Sequence, residues 1–171
     1  IKLFDLTGRV AIITGGSKGL GSAMAEGLAS AGADLLLTSR NQDEVEATAA
    51  QIQSDYGNKV IGMAADVTDP DQVAAMTERA ISEFGVIDIL INNAGINIRG
   101  PIDEITLEEF QDVQNVNVTG PWLCVRSVVP HMKKAQYGKI INLASTLGLV
   151  GMSNRTPYTS SKGAMVQMTR A

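Results

Sequence analysis

The sequence has one cysteine, Cys124, and one histidine, His131, in 171 residues. A single cysteine cannot close an internal disulfide. That excludes a disulfide-stapled secreted scaffold and points to a reducing compartment, the cytoplasm. One cysteine and one histidine do not make a zinc site, and no metal is expected. Basic residues are outnumbered, 14 against 18 acidic, for a net charge of -4. Nucleic-acid binders usually carry a basic face, so nucleic acid is not an expected partner. No apolar run approaches a membrane span, and the opening residues do not read as a leader, so no membrane partner is expected either. Nothing is low-complexity.

What is present is a rhythm. Short apolar runs at Val10–Thr14, Asp34–Thr38, Val60–Ala64, Val86–Ile91 and Lys139–Leu143 read as strands. Helical stretches separate them: Leu20–Ala31, Asn41–Tyr56, Pro70 to about Phe84, and Leu107–Lys134 with Gly120-Pro121 inside it. Thr156-Pro157 opens a last helix. Asn41 and Gly57 bracket the second helix as caps, and Asp69-Pro70 suits the start of the third. Strand and helix alternate five times, which predicts an α/β fold with a doubly wound parallel sheet, Rossmann-like, in a single domain over residues 1–171. The runs lack polar alternation, as expected of strands buried on both faces. The chain opens at Ile1 without methionine and ends at Ala171 inside a helical pattern, so it is expected to lack the last C-terminal elements.

Ligands in such sheets bind beyond the carboxyl ends of the strands. After the first strand stands Thr14-Gly15-Gly16-Ser17-Lys18-Gly19-Leu20-Gly21. Gly15 permits a tight turn, and Gly19 and Gly21 clear the helix start for a pyrophosphate, which the helix N-terminus attracts. The spacing is Gly-x-x-x-Gly-x-Gly, with Ser17, Lys18 and Leu20 between the glycines as further cofactor contacts. After the second strand, where an NAD site usually has an acid, stands Thr38-Ser39-Arg40. No acid is present there to repel a 2′-phosphate. Arg40 offers a planar fork, Ser39 a hydroxyl and Lys18 a second charge, so NADP is the expected cofactor and NAD the lesser one.

Three more segments complete a pattern. Asn92-Asn93-Ala94-Gly95 follows the fourth strand, Ser145 the fifth, and Tyr158-Thr-Ser-Ser-Lys162 lies at the start of the last helix. With the glycine turn, and in this order, they resemble the short-chain dehydrogenase/reductase family from Gly8 to the last residue. The resemblance implies an enzyme transferring a hydride between NADP and a secondary alcohol or ketone. It assigns Asp66-Val67 to the adenine and Asn93, Ala94 and Gly95 to the side of the cofactor ribose. Asn117, Ser145, Tyr158 and Lys162 match the catalytic residues. Lys162 would also bond the nicotinamide ribose, and Asn117 would hold a water that relays the proton. The family commonly forms homodimers or homotetramers. Its members usually continue with a further strand, a helical substrate lid and a last strand.

The Tyr–Lys pair makes sense on its own terms. Four residues apart, the two share a helix face. A free tyrosine, with a pKa of about 10, is a poor base at neutral pH, and a nearby ammonium favours the phenolate. Tyr158 can then exchange a proton with an alcohol or ketone while Ser145 holds its oxygen. A bare surface Tyr–Lys pair would have the same spacing. The substrate is less defined. Arg99 and Arg155 lie in the expected active-site loops and suit an anionic substrate, or serve as surface contacts. The stretch Ala94–Pro101 and the lead-in to Tyr158 look similar to gluconate 5-dehydrogenase-like members, whose substrate is gluconate or 5-ketogluconate. The 3-oxoacyl-carrier-protein reductases carry nearly the same motifs. A nucleotide-binding fragment without turnover is the alternative of another class. His131 reads as a solvated cation and Cys124 as a small core or interface residue.

Overall fold

A five-stranded parallel sheet is the centre of the computed structural model, which describes residues 2–171. Strands β1 (Val10–Thr14), β2 (Asp34–Ser39), β3 (Val60–Ala64), β4 (Ile89–Asn92) and β5 (Lys139–Asn142) lie in the order β3-β2-β1-β4-β5. Helices α1 (Gly19–Ser30), α2 (Gln42–Tyr56), α3 (Pro70–Phe84), α4 (Leu107–Gln114), α5 (Gly120–Ala135) and α6 (Thr156–Arg170) complete it. The winding reverses between β1 and β4, so the chain is doubly wound and a crevice opens at their carboxyl ends.

Side chains alternate across a strand, and here both faces find apolar cover. Ala11, Ile13, Leu35 and Leu37 face α1 and α2, meeting Ala25, Ala29, Val45 and Ile52. Ile12, Leu36 and Leu90 face α3 and α5, meeting Val73, Met76, Cys124 and Val128. Burial pushes the Cys124 thiol up to about 12, so it stays protonated and unreactive. The expected double burial fails at the edges. Ile141 of β5 is 48% exposed and β3 is only half-buried beyond Val60, because each has a neighbouring strand on one side alone. No helix among the described residues is long and apolar enough to cross a membrane.

The caps act as their chemistry requires. Asn41 accepts from Glu44 N–H, Asp69 from Asp71 and Gln72 N–H, and Gly57 and Gly85 close α2 and α3 in the left-handed conformation. Two boundaries differ from expectation. β4 begins at Ile89 rather than Val86, and just before it Asp88 is anchored to both neighbouring strands, donating its N–H to Val10 O (3.0 Å) and accepting from Lys139 N–H (2.8 Å). Its carboxylate accepts from Val10 N–H (2.9 Å) and from Arg9 (2.8 Å). The stretch Leu107–Lys134 is not one regular helix. A π turn, Asn115–Thr119, joins α4 to α5, and such turns often mark functional sites.

Leu36 is fully buried between Ile12 of β1 and Ile61 of β3. Leu36→Ala should therefore lower stability by about 2–5 kcal/mol, read from the midpoint of urea unfolding.

Candidate active site

The crevice begins at the turn after β1. Gly15 (φ +67°) and Gly19 (φ +59°) adopt the left-handed conformation that favours glycine. Gly21 has a different reason: a Cβ there would stand 2.1 Å from Gly15 O and 2.7 Å from Asn93 Nδ2. Asn93 locks the turn, its amide donating to Thr14 O and Gly15 O at 3.0 Å each. Thr14 Oγ1 in return accepts from the N–H groups of Asn93 (3.1 Å) and Ala94 (3.2 Å). Thus the ends of β1 and β4 are joined side chain to backbone in both directions.

A cleft of about 470 Å³ lies over this junction. Its lining includes Gly15, Ser17, Lys18 and Leu20 of the turn, Ser39, Arg40 and Glu44 after β2, Asp66 and Val67 after β3, and the Asn93–Ile96 segment. Gly19 and Gly21 shape the turn without lining the cleft. At its floor α1 begins without a side-chain cap and without an acid in its first turn. Its first N–H groups are therefore left for an anion. The donor set fits a dinucleotide: free helix N–H groups for a pyrophosphate and an arginine at the end of β2.

Three details add partners that the sequence did not show. An acid does face the nucleotide end: Glu44 Oε2 lies 3.3 Å from Lys18 Nζ and 3.4 Å from Ser17 Oγ. Lys18 is therefore not a free cation, whereas Arg40 has no ion-pair partner among the described residues. The Ser39 hydroxyl is used locally, donating to Asn41 O (2.9 Å) and accepting from Asn41 N–H (3.2 Å). Asp66 Oδ1 accepts from the N–H and hydroxyl of its neighbour Thr68, while the residue still lines the cleft.

Of the four catalytic candidates, Asn117 meets the cleft lining directly, at Ile96. The π turn directs Asn117 inward, where it is buried. Its Oδ1 accepts from Ile96 N–H (2.8 Å), and its Nδ2 donates to Ile96 O (2.9 Å) and Ser161 Oγ (3.0 Å). Both Nδ2 protons are thus spent on protein, and the side chain braces Ile96 against Ser161. Ser161, which the sequence reading missed, donates in turn to Tyr158 O (2.7 Å). Its place between Tyr158 and Lys162 was the available signal. Lys162 is 6% exposed and its ammonium donates to Leu143 O. Its Nζ lies 5.6 Å from the Tyr158 ring centroid. Burial pulls the Lys162 pKa below the ordinary lysine value. Ser145 follows β5 as the cap of a short 3-10 turn, Thr146–Gly148, accepting from Leu147 N–H (3.1 Å). Arg99 is exposed and Arg155 half-buried. Their loops meet where Gly100 N–H donates to Asn154 O (3.3 Å).

The family model described as short chain dehydrogenase matches residues 9–171. The chain belongs to that family. Gluconate 5-dehydrogenase of Gluconobacter oxydans is 35% identical to it over 168 residues, covering 98% of the chain and 65% of the relative. The 3-oxoacyl-[acyl-carrier-protein] reductase of Vibrio cholerae is also 35% identical, covering 98% and 67%. A solved structure described as NAD+-bound xylitol dehydrogenase superposes with a TM-score of 0.93 at 32% identity, covering 96% of this chain and 63% of that one. The chain therefore spans about two thirds of the length of these relatives. In this short chain dehydrogenase the glycine turn is sterically closed at Gly21. Gly21→Ala should weaken adenine-dinucleotide binding at least about tenfold and lower stability by about 1–3 kcal/mol, read by titration calorimetry and thermal unfolding.

Proposed function

We propose that this protein is an oxidoreductase that interconverts a secondary alcohol and a ketone, with Tyr158 as acid/base and NADP as the preferred cofactor. The observation that carries the reading is Lys162. A buried ammonium is costly unless it is held and used. Here it is held by Leu143 O, with no acid partner among the described residues, beside the ring of Tyr158. Beside that held charge, Tyr158 takes a proton from an alcohol at its phenolic oxygen. In the reverse direction the same hydroxyl returns the proton to a ketone oxygen. Ser145, at the carboxyl end of β5, holds the substrate oxygen. Asn117 and Ser161 fix the Tyr158 turn of α6 against Ile96, which orients the phenol. Gly15, Ser17 and Leu20 take the pyrophosphate side, Lys18 joins Arg40 at the 2′-phosphate, Asp66 and Val67 take the adenine side, and Asn93, Ala94 and Gly95 the ribose side. When bound, the nicotinamide supplies or accepts the hydride.

Arg40 supports NADP, being the unpaired cation at the end of β2. Arg99 and Arg155 support an anionic substrate of the sugar-acid kind, since their two loops are tied by the Gly100–Asn154 bond and neither guanidinium has an acid partner among the described residues. The exposed Leu107 of α4 and Trp122 of α5 support self-association through these helices.

Tyr158→Phe should reduce turnover to below a few per cent while NADPH affinity stays within about twofold, since the lost hydroxyl acts only on the reacting oxygen. Steady-state kinetics beside a binding titration separates the two. A variant that keeps a substantial rate removes Tyr158 as the acid/base. For the substrate, 5-ketogluconate should be reduced and a 3-oxoacyl thioester should not. The opposite result assigns the site to acyl-thioester chemistry.

A further inference from the structure

The cofactor end of the cleft holds an acid that has been drawn away from its ordinary task. At the start of α2, Asn41 is the cap and Glu44 occupies the third helical position, the pattern of a capping box. In a complete box that glutamate reaches back to the cap N–H, as Glu109 does to Thr106 at the start of α4. In α2 the Asn41 N–H is instead satisfied by Ser39 Oγ. The Glu44 carboxylate is thereby released. It crosses to the glycine turn and accepts from Ser17 Oγ and Lys18 Nζ. Thr48 Oγ1, one turn along α2, reinforces the contact by donating to Ser17 O (2.8 Å).

We infer that Glu44 sets the choice between NADPH and NADH by competing with the 2′-phosphate for Lys18. The inference rests on the dinucleotide reading of the cleft and names the residue that tunes it. Lys18, Arg40 and Glu44 line one cleft, and Lys18 and Glu44 are in contact there. A 2′-phosphate arriving at Arg40 brings negative charge close to Glu44 and must draw Lys18 away from it. A neutral 2′-hydroxyl asks for neither and leaves the Lys18–Glu44 pair in place. Glu44 thus lowers affinity for the phosphorylated cofactor alone, and specificity is a difference of affinities. The Lys18 side chain is 79% exposed and that of Glu44 45%, so water screens the competition and its effect is moderate.

The test compares NADPH with NADH, and 2′,5′-ADP with 5′-ADP, on the wild type, Glu44→Gln, Lys18→Met and the double variant. Glutamine keeps the reach to Ser17 and removes the charge. Glu44→Gln should raise the NADPH-to-NADH affinity ratio about three- to tenfold, with a parallel rise for 2′,5′-ADP over 5′-ADP. In the Lys18→Met background most of that gain should vanish, because the two residues act on one phosphate. An unchanged or lower ratio, or a gain of equal size without Lys18, overturns the inference while leaving the dinucleotide site standing. Failure of the wild type to bind any of the four nucleotides overturns both.

Discussion

The contact on which the rest depends is the one between Asn93 and the turn after β1. Strands β1 and β4 are paired in parallel, and just beyond their carboxyl ends a cross-link ties the turn after β1 to the segment after β4. Asn93 supplies it through two carbonyls, and Thr14 answers through two N–H groups. Those bonds require the backbone of Gly21 to come so close to Gly15 that no side chain fits between them. The glycine pattern is thus a packing requirement before it is a binding signal. Once the turn is closed, the uncapped start of α1 faces the crevice, and its unpaired N–H groups make the site attractive to an anion.

The reacting end is braced separately. The π turn widens the helix between α4 and α5 and brings Asn117 onto both polar groups of Ile96. Ser161 passes that constraint to the turn of α6 bearing Tyr158. Leu143, just beyond β5, fixes the ammonium of Lys162. Two neighbouring strand ends, β4 and β5, therefore hold one helix turn from two sides. This is the rigidity an acid/base side chain needs to meet a substrate oxygen repeatedly in one geometry.

Much of this was legible in the chain, and the limits are instructive. β1, β2 and β4 read as apolar runs because the sheet buries them on both faces. β3 and β5 read the same way yet are half-open, since sequence does not say which strands lie at the edges. The caps Asn41 and Asp69 were legible because capping is local, set within three residues. Glu44 was not legible as a cleft residue. It meets Lys18 across 26 positions, and its local pattern announced a capping box. Ser39 was expected to face a phosphate, but a hydroxyl takes the nearest good partner, here Asn41 two residues away. Asn117 was found by its pattern. Its bonds to Ile96 and Ser161 were not legible, because spacing along a helix does not show what an amide meets across the fold.

The central claim is that the crevice between β1 and β4 holds a nicotinamide dinucleotide and reads its 2′-phosphate through Arg40. The most direct measurement is a titration of the protein with NADPH and then with NADH, followed by the fluorescence of the reduced nicotinamide. The account predicts saturable binding of both, with NADPH the tighter. Equal affinities would contradict the reading of Arg40. No binding of either would contradict the assignment of the crevice itself.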